Sequence, residues 1–204
     1  MTIFNSIKYF KKYNLKLLIL NLDFGIYGSN ISSERNIIVD RTIFENNFVG
    51  TQIVDVNSPV ITRSQFTAND SPDNNFLDTE QYGIHAIRSK GLKIEENEFT
   101  HLTGTNTVYG LICTDLGESE EQIYNNLFEN LDFGIATQGK NRGSDVGGAL
   151  GLQFLCDSNV TNEKDHLVLG SLWLDASPLF GVKNYNGFAD IPSGNIFSSM
   201  PPTA

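Results

Sequence analysis

Residues 91 to 102, GLKIEENEFTHL, carry the pattern that decides the fold. Within this stretch Ile94, Asn97 and Phe99 give the spacing I-x-x-N-x-F. Further copies stand at Val39, Thr42 and Phe44, at Ile61, Ser64 and Phe66, and at Ile123, Asn126 and Phe128, with a weaker copy at Phe154 and Asp157. The first residues of successive copies lie 22 to 33 residues apart, so one supersecondary unit repeats and insertions fall in its loops.

A second short apolar segment precedes each copy and usually opens with glycine. These segments begin at Gly25-Ile26, Gly83-Ile84, Gly110-Leu111 and Gly134-Ile135, with QIVDV around Ile53 as the irregular member. Helical repeats would need apolar residues at three and four spacing over ten or more positions. Here the runs are short, rich in Ile, Val and Phe, and separated by Gly, Asn, Asp and Ser, which favours strands.

Stacking such repeats as a β-solenoid would place equivalent residues of successive coils about 4.8 Å apart. Ile94 and its counterparts would then fill the core, and Phe99 and its counterparts would stack beside them. The polar column comprises Thr42, Ser64, Asn97 and Asn126. Asn also marks turns, but the Phe two residues later repeats as well, so we expect a buried ladder that satisfies its own donors and acceptors.

This rhythm resembles the right-handed parallel β-helix repeats of the pectin-lyase-like superfamily, from about Gly25 to Asn159. The segments GLQFLCDSN and SGNIFSS are also similar to parts of large β-helix surface proteins that gliding bacteria export through the type IX system. We therefore predict an all-β, single-stranded right-handed parallel β-helix of about five to six coils with irregular caps. The resemblance implies an extracellular or cell-surface location.

We expect three regions: a cap or irregular first coil over residues 1–24, β-helix repeats over 25–160, and capping loops or a truncated continuation over 161–204. In the first region the uninterrupted apolar run is only Leu17 to Leu20. This run is shorter than the hydrophobic region of about 7 to 15 residues in a signal peptide, and it cannot span a bilayer. In the last region Trp173 and Phe180 are candidates to cover the final coil.

The composition excludes some partners. The chain has 204 residues, of which 40% are hydrophobic, and a formal net charge of −10. Nucleic acid calls for a basic footprint and anionic membranes for basic residues, so neither is expected as a partner. Polysaccharide or a surface protein is the partner class that the composition leaves open.

The sequence also contains two insertions in the repeat and two cysteines. The acidic loop with Asp70, Asp73, Asp78 and Glu80 could attract calcium, but its spacing matches no calcium motif, and a solvated loop is the simpler interpretation. The stretch GKNRGSDVGG, residues 139 to 148, lacks the ending of a phosphate-binding loop, so we expect no cofactor. Alternation points Cys113 and Cys156 inward in different coils, which predicts two free, buried thiols.

Candidate functional residues are the polar residues that point outward at equivalent positions of successive coils. Four residues after each Gly-Ile anchor come Asn30, Asn57, Arg88, Asp115 and Gly139. The outward position next to the anchor gives Tyr27, His85, Ile112 and Ala136, with Val54 or Asp55 between the first two, because the register of QIVDV is open. If Asp55 lies beside His85, with Arg88 and Asp115 close by, one face holds an acid, an imidazole and a guanidinium.

Three functions follow from these residues. The first is a non-catalytic β-helix module of a secreted or cell-surface protein that contacts carbohydrate or protein. The second is a lyase or epimerase acting on acidic polysaccharide, with Asp55, His85, Arg88 and Asp115 as catalytic residues. No lyase signature of the superfamily is intact, and YGIHAI lacks the Asp-Pro that precedes the His in alginate epimerases. The third is a calcium-stabilised adhesin segment, although no metal ligand can be assigned.

Overall fold

The computed structural model describes residues 17–29, 37–69, 80–117, 119–143, 150–169, 182, 187–188 and 191–198. Over these residues the regular secondary structure is entirely β-strand. The strands are β1 (Leu17–Leu20), β2 (Phe24–Ser29), β3 (Ile38–Asp40), β4 (Thr42–Glu45), β5 (Val49–Val54), β6 (Val60–Thr62), β7 (Gln65–Ala68), β8 (Glu80–Ile87), β9 (Lys93–Glu95), β10 (Glu98–His101), β11 (Thr107–Thr114), β12 (Glu121–Tyr124), β13 (Leu127–Glu129), β14 (Phe133–Gln138), β15 (Leu152–Leu155), β16 (Ser158–Val160), β17 (Lys164–Leu169), β18 (Gly187–Phe188) and β19 (Ile191–Pro192).

Three parallel sheets form the walls of a β-solenoid. Sheet A contains β1, β4, β7, β10, β13 and β16; sheet B contains β2, β5, β8, β11, β14 and β17; and sheet C contains β3, β6, β9, β12 and β15. The chain visits the three sheets in turn, so each strand from β1 to β14 pairs with the strand three positions later, and β18 and β19 form a separate antiparallel pair. The strands that have a partner on both sides form about four complete turns, fewer than the five to six coils expected. The strands at the two ends of each sheet have one partner only and do not complete a further turn.

The predicted columns fill the interior. Val39, Ile61, Ile94, Ile123 and Phe154 are register partners in sheet C. The rings of Phe44, Phe66, Phe99 and Phe128 stack in sheet A with centroids 4.6 to 4.9 Å apart. Both sets are buried. The repeat in the sequence is therefore the repeat of the coil, and one hydrophobic core runs through it.

The polar column forms a hydrogen-bonded ladder at the corner between sheets C and A. The backbone N–H of Ser64 donates to Asn97 Oδ1 at 3.0 Å, and that of Asn97 donates to Asn126 Oδ1 at 3.0 Å. Thr42 N–H donates to Ser64 Oγ at 3.1 Å, and Asn126 N–H donates to Asp157 Oδ1 at 2.8 Å. Each side chain thus satisfies the backbone of the preceding coil, and the predicted ladder is confirmed.

The corners between strands use left-handed backbone at residues other than glycine. At the corner that precedes sheet A, φ is 53° for Arg41, 51° for Arg63, 58° for Glu96, 54° for Asn125 and 57° for Cys156. This turn breaks the alternation, so Cys156 is exposed and the prediction of a buried thiol there was wrong. Cys113 lies in β11 and is buried and free, as expected.

The end of the chain adds one more rung to the ladder. Asp157 N–H donates to Asn195 Oδ1 at 2.9 Å, and Asn195 Nδ2 donates to the Phe154 carbonyl at 3.1 Å. Residues 193–198, SGNIFS, therefore extend the ladder by one position beyond Asp157.

Several expectations fall outside the described residues. These are residues 1–16 of the N-terminal cap, Asn30 of the predicted outward column, Asp70, Asp73 and Asp78 of the acidic loop, residues 144–148 of the insertion from Gly139 to Gly148, and Trp173 and Phe180. Within the described residues no helix is long and apolar enough to cross a membrane.

Candidate functional site

Asp55, Arg88 and Asp115 lie at one corner of the solenoid, where β5, β8 and β11 end and the chain turns toward sheet C. All three have positive φ, between 45° and 54°. Backbone hydrogen bonds stack them coil on coil, since Asp55 N–H donates to the Ile87 carbonyl and Arg88 N–H to the Thr114 carbonyl. The strand-to-corner geometry is the same in each coil and brings the three side chains into one column.

Within this column Arg88 forms an ion pair with Asp55. Its Nε and Nη2 atoms donate to Oδ1 and Oδ2 of Asp55 at 2.9 and 2.8 Å. The hydrogen bonds from Arg88 lower the pKa of Asp55, and the pair is exposed. Asp115 instead accepts a hydrogen bond from the Lys140 backbone N–H at 2.9 Å. The sequence pattern placed Arg88, Asp115 and Gly139 in successive coils of this column, and the backbone hydrogen bonds from Arg88 N–H to the Thr114 carbonyl and from Asp115 N–H to the Gln138 carbonyl confirm that order. It placed Asn57 before Arg88, where the structure has Asp55.

His85 lies on the outer face of sheet B, with neighbours other than these three residues. Its Nδ1 is 3.4 Å from Gln52 Nε2, its Nε2 is 3.5 Å from Thr114 Oγ1, and its ring centroid is 5.4 Å from that of Tyr82. Burial lowers the pKa of His85 to about 4. The imidazole is therefore neutral at pH 7, and a base of such low pKa drives proton abstraction weakly.

The register of β5 answers the question that QIVDV left open. Thr51 pairs with Ile84, Gln52 with His85, and Ile53 with Ala86. The position beside His85 is held by Gln52, so the choice between Val54 and Asp55 was wrong on both counts. Ile53 was taken for the anchor because it is apolar, whereas the anchor position in this coil is a buried threonine.

Sequence reasoning missed an aromatic column on the same face. Tyr82 stacks on Tyr109 at 5.5 Å and Tyr109 on Phe133 at 4.6 Å, and Lys164 Nζ lies 4.8 Å from the Phe133 centroid. The signal was the residue before each Gly-Ile pair, which is aromatic in most coils. Because each ring covers the face of the next, the column offers solvent mainly ring edges. It is a poor platform for stacking a sugar ring.

An open groove of about 220 Å³ lies at the corner between sheets C and A. Its walls are mostly polar or charged and extend over three successive coils. The lining residues are Arg41, Thr42, Ile43, Arg63, Ser64, Gln65, Glu96 and Glu98. The sequence did not single out this groove, because its charged residues sit at corner positions that vary from coil to coil.

Comparisons with protein-family models, with curated proteins and with solved structures gave no match. The chemistry of the described surfaces must therefore carry any functional argument. Among the described residues no group of three or more His, Cys, Asp or Glu side chains is arranged to hold a metal ion.

Proposed function

We propose that this chain is a non-catalytic parallel β-helix module of a secreted or cell-surface protein that binds carbohydrate. Its resemblance to pectin-lyase-like repeats and to exported surface proteins supports the location and the ligand class. The second form of the proposal is that the outer faces of the three sheets bind a protein.

The observation that carries the proposal is the engagement of the candidate catalytic side chains. Arg88 holds Asp55 through two hydrogen bonds, and Asp115 accepts the Lys140 N–H. His85 sits between Gln52 and Thr114 with a pKa near 4. Residues so engaged stabilise a corner and a sheet face. Acid–base catalysis calls for a group whose pKa lies near the working pH.

The net charge of the chain favours one class of polysaccharide over another. With a net charge of −10, long-range forces repel polyanions unless a local basic patch offsets them. Neutral polysaccharides face no such barrier, so we expect them to bind in preference to polyuronates.

The test is a binding and turnover screen on the full chain. Soluble polysaccharides, neutral and acidic, are examined by affinity electrophoresis and isothermal titration calorimetry, and each is incubated for release of reducing ends or unsaturated product. Binding without turnover is the expected result. Turnover of any substrate would overturn the non-catalytic proposal, and absence of binding to every polysaccharide would overturn the carbohydrate one.

The alternative is a lyase or epimerase acting on acidic polysaccharide. It is favoured by the exposed guanidinium of Arg88, which could neutralise a uronate, at the end of the strand that carries His85. The lyase form of this alternative predicts ultraviolet absorbance from unsaturated product with uronate polymers, abolished by His85→Ala and by Arg88→Ala. An equal rate in native protein and both variants would exclude the site.

A further inference from the structure

The groove between sheets C and A occupies the part of its corner where the left-handed residues are charged. Along this corner the successive left-handed positions are Arg41, Arg63, Glu96, Asn125 and Cys156. The charged members are the first three, and they line the groove. Coils lie about 4.8 Å apart, so three coils present a polar strip about 10 Å long.

The groove has a rigid floor. Thr42 and Ser64 are buried members of the ladder, and Ser64 Oγ donates to the Thr62 carbonyl at 3.0 Å while accepting the Thr42 N–H. These side chains cannot turn toward a ligand without breaking the ladder. The recognition groups must therefore be those of the walls.

The walls are held in place by their own contacts. Arg63 donates to Asp40 Oδ1 through Nε and Nη2, both at 2.7 Å, and Arg41 Nη1 lies 3.6 Å from Asp40 Oδ2. On the opposite side Gln65 Nε2 donates to Glu98 Oε2 at 2.9 Å. Fixed side chains lose little conformational entropy when a ligand arrives, which favours binding.

The groove has no excess of positive charge. Arg41 and Arg63 are balanced by Glu96 and Glu98, and the adjacent Asp40 tips the sum to the acidic side. A carboxylate or phosphate ligand would gain little there. A ligand with many hydroxyl groups suits the site, because each hydroxyl can donate to a glutamate and accept from an arginine or from Gln65. Ile43 adds an apolar surface for the C–H groups of a sugar ring.

We propose that this groove binds a short stretch of neutral oligosaccharide, with Arg63, Gln65 and Glu98 as the hydrogen-bonding residues. The inference rests on the proposed carbohydrate function and gives it a place and a ligand class. The sugar lies along the solenoid axis, so its successive residues meet successive coils.

The test uses the full chain and a panel of neutral oligosaccharides, namely cello-, xylo-, manno- and malto-oligosaccharides, with oligogalacturonate as the charged comparison. Titration calorimetry is run on native protein, Arg63→Gln and Glu98→Gln. Each variant should weaken binding of the neutral ligand by at least about tenfold, since each removes a charge-assisted hydrogen bond. Glu129→Gln, on β13 of the same sheet but outside the groove, should bind as native protein does.

Thermal unfolding of every variant confirms that the fold is kept. Neutral oligosaccharide binding that both groove variants retain would overturn this inference and leave the carbohydrate function standing. Tighter binding of oligogalacturonate than of any neutral sugar would overturn the charge argument. Absence of binding to every glycan by native protein would overturn the proposed function and the groove together.

Discussion

Asp157 takes the place of an asparagine in the ladder and accepts two hydrogen bonds from Asn126. Its Oδ1 lies 2.8 Å from the backbone N and 3.0 Å from Nδ2 of Asn126, whereas its buried Oδ2 has no partner within the described part of the chain. The asparagines of the ladder use the corresponding Nδ2 to donate to a carbonyl, as Asn97 does to Ile61 at 2.9 Å. Asn126 Nδ2 donates in the same way to the Ile94 carbonyl at 3.0 Å. An asparagine at position 157 would, by this pattern, donate to the Ile123 carbonyl.

A carboxyl group in this position completes the ladder when protonated. Its O–H can then donate to the Ile123 carbonyl as an asparagine amide would, whereas an ionised carboxylate would set negative oxygen against that carbonyl. Burial raises the pKa of Asp157 to about 6, and the hydrogen bonds from Asn126 offset part of the effect. The native state therefore binds a proton that the unfolded chain has released, and stability falls as pH rises from about 4 to 6.

Asp157→Asn should stabilise the protein at pH 7. The amide supplies the missing donor without a charge, and relief of the buried carboxylate is worth roughly 1 to 3 kcal/mol. The measurement is the difference in unfolding free energy between variant and native protein, followed by urea denaturation from pH 4 to 8. We expect the variant's advantage to grow with pH up to about 6 and then level off. Asp23→Asn, at an exposed carboxylate, is the matched control, and an equal, pH-independent gain in both would refute the assignment.

His85 should impose the opposite pH dependence. Its pKa is lowered to about 4 by burial, so the unfolded chain binds a proton that the native state does not, and stability falls as the medium is acidified from about pH 6.5 to 4. His85→Gln keeps a polar side chain between Gln52 and Thr114 and removes the titration. Relative to native protein it should gain roughly 3 kcal/mol between pH 7 and pH 4. The gain would be absent if the imidazole were charged in the native state.

The ladder and the stacked phenylalanines could be predicted because each depends on one kind of side chain, short and polar or phenylalanine, at a fixed position within the I-x-x-N-x-F repeat. A side chain inside a tight coil has one environment, repeated in every turn, so Asn97 and Asn126 face the same neighbours. Period-two alternation within short strands then gives the inward and outward faces of the repeat.

The register of β5 and the exposure of Cys156 could not be predicted, and one reason explains both. Each requires knowing where a strand ends, and a left-handed corner residue shifts the alternation by one position without a consistent sequence signal. At these corners arginine, aspartate, glutamate, asparagine and cysteine all occur with positive φ. The groove at Arg63 and Glu98 lies at such a corner and escaped notice with it.

Glu121→Gln should destabilise the solenoid. Both carboxylate oxygens of Glu121, which is buried, accept backbone N–H groups, from Gly91 at 2.8 Å and from Leu92 at 2.6 Å. A glutamine would set its NH₂ group against one of these donors, which costs roughly 1 to 3 kcal/mol. Burial raises the pKa of Glu121 to about 7, and the two backbone N–H groups oppose the shift, so native stability falls as pH rises from about 4.5 toward 7. Glu95→Gln, on the outer face of sheet C, should leave the melting temperature unchanged; an equal loss there would contradict the role given to Glu121.

Gly83→Ala should be strongly destabilising, because the glycine lets a backbone pass close to the phenylalanine stack. An added Cβ would lie 2.5 Å from the Gly110 carbonyl oxygen and 2.6 Å from Phe99 Cδ1. Neither atom can yield without moving a neighbouring strand or breaking the stack, so we expect a loss of about 3 kcal/mol or more. Gly117→Ala is the control: its φ of 88° strains an alanine, but an added Cβ there would meet no atom within 4 Å. Chemical denaturation of the two variants should therefore show a much larger loss for Gly83→Ala, and equal losses would contradict the close packing against Phe99 as the reason for glycine at position 83.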